Sequence, residues 1–148
     1  MKNSGLNAVP ERLQVSIGGH FGTCYSACSQ SGAVTYECTK SLENFPPKWD
    51  SRSEQIHPSD ERWQAFRAAL DRIDVWRWQA DYPNSAMVCD GTSWSVEIMY
   101  PDHQLLSCGC NCFPGENADS VPIHARRGND AFDRFCKAIS LLVGRPFR

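Results

Sequence analysis

Long hydrophobic runs are missing from this 148-residue sequence. No apolar stretch approaches the roughly 20 residues that cross a bilayer, so a membrane-spanning helix is not expected. The opening MKNSGLNAVPERLQ carries no apolar h-region, so a signal peptide is not expected either. Charge of one sign is also lacking: 15 Lys and Arg stand against 17 Asp and Glu, a net charge of −2. A general nucleic-acid binder is more basic than this, and nucleic acid is not expected as a partner. The sequence holds no G-x-x-x-x-G-K-[ST], H-E-x-x-H, G-x-S-x-G or G-x-G-x-x-G. It also lacks C-x-x-C, the spacing of zinc knuckles and thioredoxin-like redox sites. Together these absences point to a cytoplasmic, non-enzymatic chain. The length suits one domain over residues 1–148, with 1–10 as a loose lead-in.

Cysteine, by contrast, is abundant. There are eight: Cys24, Cys28, Cys38, Cys89, Cys108, Cys110, Cys112 and Cys136. In a reducing compartment such a count signals metal, redox chemistry or packing. Cys108, Cys110 and Cys112 form C-x-C-x-C behind Leu106, and on a strand these four share one face. With a leucine at its head, that stripe is expected to point inward, each thiol acting as a small apolar residue. Cys38 shares a stripe with Val34 and Tyr36. Cys136 lies beside Phe132, Phe135 and Ile139 on a helix face. The alternative is a zinc-stabilised module in which Cys24 or Cys28 joins Cys108, Cys110 or Cys112 on one Zn²⁺. A Cys24 nucleophile with His20 as its base is a further arrangement that these residue types allow.

Hydropathy patterning supplies the elements. Leu13, Val15 and Ile17 alternate, which predicts a strand. Gly18, Gly19 and Gly22 then mark a bend, and extended segments follow at 23–29 and 33–39. Residues 41–58 are polar and contain Pro46, Pro47 and Pro58, which reads as a long loop. Ser59 with Asp60 and Glu61 predicts a helix start. Trp63, Phe66, Leu70 and Ile73 form its apolar face. In the second half Trp94, Val96, Ile98 and Tyr100 alternate, Pro101-Asp102-His103 turns, and Gln104 to Cys112 returns. After a loop over 113–128, Phe132, Phe135, Ile139 and Leu142 repeat the spacing of the first helix. The expected fold is α+β: an antiparallel sheet of about four to six strands with two helices on one face. Two strand–strand–helix half-repeats, 11–84 and 85–148, are a reading of the same pattern.

Asp90-Gly91-x-x-Trp94, then Gly109-x-Asn111-x-x-Pro114, then Phe132-x-x-Phe135, resembles a pattern in small uncharacterised bacterial proteins. Gly18-Gly19-x-x-Gly22 and Trp78-x-x-x-Tyr82 are similar to its earlier part. The resemblance spans about residues 15–143 and implies no established activity. It also implies that the positions of Cys108, Cys110 and Cys112 are not reserved for cysteine.

The expected role is binding. Trp49 in the polar loop, with Trp76 and Trp78 after the first helix, are candidate interface anchors. The partner is then a protein or a second copy meeting an exposed sheet edge, in an accessory, inhibitor-like or immunity-like role. A small-molecule module is the alternative, with an aromatic cleft between sheet and helices and Trp94, Asn111 and Arg126 around the ligand. Arg126 and Arg127 belong to a C-terminal tract, 120–148, with six basic and two acidic residues. That tract is a solvated helix face or a patch for an acidic partner.

Overall fold

The computed structural model describes residues 8–19, 23–30, 32–42, 48–82, 92–110, 112–114 and 130–148. Four strands come first: β1 (Arg12–Gly19), β2 (Cys24–Gln30), β3 (Ala33–Leu42) and β4 (Lys48–Ile56). Helix α1 (Asp60–Ile73), a 3-10 turn at Val75–Arg77 and a two-residue strand β5 (Asp81–Tyr82) follow. Then come β6 (Thr92–Met99), β7 (Gln104–Cys110) and helix α2 (Asp130–Val143). The strands form one sheet of order β4-β3-β2-β1-β6-β7-β5. Every neighbouring pair is antiparallel except β5 with β7.

Alternation fixes which face is buried. Leu13, Val15 and Ile17 of β1 stand opposite Ile98, Val96 and Trp94 of β6. On the other side they meet Ser29, Ala27 and Tyr25 of β2. This face carries both helices, which contribute Trp63, Phe66 and Leu70 from α1 and Phe132, Phe135, Ile139 and Leu142 from α2. The opposite face shows solvent a row of short side chains, among them Ser16, Ser95 and Thr35. Helix α1 begins as its sequence predicts: the Ser59 hydroxyl accepts from the Arg62 amide at 3.3 Å. It ends on Asp74 in the left-handed region, φ 59°. Gly144 takes the same role after α2, φ 67°.

Four expectations change. The sheet has seven strands instead of four to six, because β4 lies inside the stretch read as loop. Its residues 51–55 are exposed on both faces, so no apolar alternation marks it. Second, the buried stripe of β7 is Leu105, Ser107 and Gly109, while Leu106 is 60% exposed. Cys108 therefore points outward with it, and Cys110 is half-buried. The one-residue shift follows from Trp94, which sits opposite Gly109 in the ladder. A Cβ at Gly109 would lie 2.6 Å from Trp94 Nε1 and 2.5 Å from the Cys112 carbonyl oxygen. Only glycine leaves the ring room to pack there and to donate from Nε1 to that oxygen at 2.9 Å. Third, residues 8–10 are not loose: Pro10 is buried, and the Ala8 carbonyl accepts from the Tyr100 hydroxyl at 3.0 Å. Fourth, the halves 11–84 and 85–148 are unequal in strand content, with five described strands in the first and two in the second.

Gly109→Ala tests the Trp94 seat. A strand alanine is intrinsically favourable by roughly 0.5–1 kcal/mol, but forcing a methyl against the indole costs about 2–3 kcal/mol and wins. We expect a net destabilisation of about 2 kcal/mol in urea unfolding. An unchanged midpoint would show that the indole does not depend on this gap.

Candidate functional site

The sheet is wider than the helix layer that covers it. Over β3 and β4 the inner face is left open, and a cleft of about 270 Å³ forms there. Its floor is built from residues directly opposed in the ladder: Tyr36 with Glu54, Cys38 with Arg52, and Lys40 with Asp50. Tyr25 of β2 closes the inner side, and Arg145 and Pro146 after α2 form a wall. Two bonds hold that wall to the sheet. The Tyr36 hydroxyl donates to the Pro146 carbonyl oxygen at 2.5 Å. Arg145 donates to both oxygens of Glu54, at 2.9 and 2.6 Å, and to the Gly144 carbonyl at 2.9 Å. One guanidinium thus joins the C-terminal end of α2, where a cation is favoured, to the outermost strand. Phe147 packs behind it, 5.8 Å from the Tyr25 ring.

The electrostatics are those of a mixed-charge rim above an aromatic floor. Burial pushes the Tyr36 hydroxyl up to about 12, with Cys38 adding to the shift. Burial also raises Tyr25. Both phenols are therefore neutral near pH 7 and can act as hydrogen-bonding groups. Arg52 is 83% exposed and 3.7 Å from Asp50, itself 44% exposed, a weak surface pair.

A second polar cluster fastens α1 to the β6–β7 turn. Arg67, 11% exposed, donates to both oxygens of Asp102 at 3.0 and 2.7 Å and from Nε to Asp71 at 3.0 Å. Its guanidinium lies 4.4 Å from the Tyr100 ring centroid and 5.3 Å from that of Trp76. Hydrogen bonding to Arg67, followed by that to His103, holds Asp102 well below the usual carboxylate range. Trp76 Nε1 donates to Asp71 at 2.8 Å, and His103 lies 4.9 Å from the Trp76 ring. The charged groups of this cluster bind one another and hold α1 to the turn, while Asp71 and His103 keep 49% and 43% of their side chains exposed.

The residues singled out in the sequence scatter over the molecule. Trp76 belongs to the Arg67 cluster. Trp78 packs between Trp94 and Phe135, at 6.1 and 5.4 Å. The two tryptophans diverge because the 3-10 turn aims them at different parts of the core. Trp94 is buried among Tyr82, Phe113 and Phe132, away from the cleft over β3 and β4. Trp49 lies in β4, paired in register with Ser41. Asn111, Arg126, Arg127, Cys89, His20 and the Asp90-Gly91 turn lie outside the described residues.

The thiols are likewise dispersed. Cys24 and Cys28 are on β2 and Cys108 and Cys110 on β7, with β1 and β6 between them. Three strand spacings of about 4.8 Å separate β2 from β7, whereas zinc holds its thiolates at about 2.3 Å. Cys112 is buried beneath the Trp94 hydrogen bond. The structure does not bring the proposed ligand set together, and among the described residues no three His, Cys, Asp or Glu side chains cluster as metal ligands. Core packing holds for Cys112 and Cys136, the latter pushed up to about 12 by burial. Burial, then Asp81, also raises exposed Cys108, which keeps it a thiol.

Sequence reasoning missed the cleft because β4 was read as loop. The signal was the alternation of charge in Asp50, Arg52 and Glu54 at the period of a strand. No helix of the described residues is long and apolar enough to cross a membrane. No family model and no curated protein matches the chain.

Tyr36 gives a pH signature. Its folded-state value is raised above 10, so its contribution is complete below pH 10 and is lost as pH rises towards about 12. Tyr36→Phe should remove the bond to Pro146, cost about 1 kcal/mol at pH 7, and flatten the fall in stability across that alkaline window. Urea unfolding at pH 7 and through the window measures both. An equally steep alkaline fall in the variant would place the titrating group elsewhere.

Proposed function

We propose that the chain is a non-enzymatic binding domain whose ligand sits in the cleft over β3 and β4. The observation that carries this reading is an open aromatic floor ringed by fixed charges of both signs. Tyr25 and Tyr36 offer ring surface, Lys40 and Arg52 offer cations, and Asp50 offers a carboxylate. Such a rim suits a small zwitterion with an apolar body, whose ammonium and carboxylate each meet an opposite charge. Drug-sized sites run to roughly 300–1,000 Å³, so a volume of about 270 Å³ favours a ligand of amino-acid size. Binding is favoured over catalysis because the phenols facing the cleft are held protonated and are poor proton-transfer groups near pH 7. The accessory role expected from the sequence fits a domain of this kind, and self-association is taken up below.

Free phenylalanine, with its amide and its decarboxylated amine as controls, is a suitable probe. Calorimetric titration should show the zwitterion binding more tightly than either control. Tyr25→Ala and Lys40→Ala should each weaken it about tenfold, equivalent to 1.4 kcal/mol. Equal affinities across the three compounds, or no effect of either substitution, would sink the reading.

A further inference from the structure

The two edges of the sheet are unlike. On one side β5 is two residues long and ends the sheet with the acidic Asp81. Short, charged edges of this kind resist pairing with another chain. On the other side β4 runs nine residues with no proline inside it, and among the described residues only its β3 side is paired. Pro47 and Pro58 bracket it. Edge protection by charge works through repulsion, and β4 does not carry charge of one sign. Asp50, Arg52 and Glu54 alternate in sign along one face.

That alternation is self-complementary. Two copies of β4 meeting antiparallel are related by a two-fold axis perpendicular to the sheet. The axis passes midway between the two copies of one residue and keeps both helix layers on the same side. Directly opposite residues then share a face. With the axis on Arg52, that guanidinium faces its own copy and Asp50 faces Glu54, so like charges meet throughout. With the axis on Ser53, Arg52 faces Glu54, which Arg145 already holds through both oxygens. With the axis on Ser51, Asp50 of each copy faces Arg52 of the other, and residues 48–54 pair without reaching either proline. The Asp50–Arg52 contact within one copy is loose, 3.7 Å between exposed side chains, so both groups are available to turn outward.

We propose that the chain forms a two-fold dimer by antiparallel pairing of β4 about Ser51, joining two seven-stranded sheets into one. The occupant of the edge is a second copy of this chain. The inference rests on the reading of this end of the molecule as its binding surface, and it deepens it. Asp50 and Arg52 also rim the cleft, so each copy contributes to the mouth of the other's site.

Charge exchange tests it, read by sedimentation equilibrium with circular dichroism to verify folding. The native chain should dimerise in the micromolar range, about 1–100 µM. Asp50→Arg and Arg52→Asp should each weaken dimerisation at least tenfold, because each creates like-charged opposing pairs. The doubly exchanged chain, D50R with R52D, should recover it. Mixing the two single variants should give a heterodimer, since two arginines then face two aspartates, and this arm needs both to be folded. A monomeric native chain, a dimer indifferent to the single exchanges, or a mixture that stays monomeric would each overturn the proposal. Titration of phenylalanine on Tyr25→Ala, a residue away from the edge, reads the cleft separately. A native chain that binds phenylalanine but stays monomeric would reject this inference and keep the binding reading; a native dimer that does not bind it would do the opposite.

Discussion

The packing of Trp94 over Gly109 is the constraint on which the central architecture depends. The indole meets Trp78, Tyr82, Phe113 and Phe132, side chains from four separate segments. Each brings its own segment with it: the stretch after α1, the β5 strand, the exit from β7 and the start of α2. The hydrogen bond from Nε1 to the Cys112 carbonyl satisfies a buried polar group that would otherwise cost roughly 1–3 kcal/mol. A larger residue at 109 would displace the ring and misplace all four segments together. The same pairing explains why β7 buries Leu105 rather than Leu106.

That shift shows where the sequence was legible and where it was not. Strands β1 and β6 and both helices are readable because one face of each is strongly apolar and the other polar. β7 misleads by composition: Leu106, Cys108 and Cys110 are the more apolar set, yet Leu105, Ser107 and Gly109 face the core. Only knowledge of the strand opposite decides between the two registers, and a one-residue choice reverses the fate of two thiols. β4 was illegible for another reason. An edge strand outside the helix cover has no apolar face to reveal, so the polar composition of 48–56 imitates a loop. The cleft was lost with it, since half of its floor belongs to that strand.

The aromatic residues illustrate the same limit. Trp76 and Trp78 stand two apart and look like alternatives for burial. The 3-10 turn sends one to Arg67 and the other to the α2 face, and both are half-buried. Arg67 itself left a trace in the sequence, an i,i+4 pairing with Asp71. Its stronger partner, Asp102, is 35 positions away and meets it only because α1 folds back over the β6–β7 turn. Long-range ion pairs of this kind carry no periodicity that a sequence pattern could expose.

The polar chemistry divides accordingly. At the β6–β7 end one guanidinium, 11% exposed, binds two carboxylates and rests on two rings, so the cluster acts as a clasp. At the β4 end, the same residue types are exposed and loosely paired, and the helix layer stops short of them. Arg145 marks the boundary. It seals the end of α2 against Glu54, and among the described residues nothing covers Asp50 and Arg52 beyond it. A ladder that ends in opposite charges at alternate positions has its unpaired hydrogen-bonding edge and its unspent charges on the same strand. The aromatic packing therefore centres on Trp94, and the exposed opposite charges lie at the far end of the sheet.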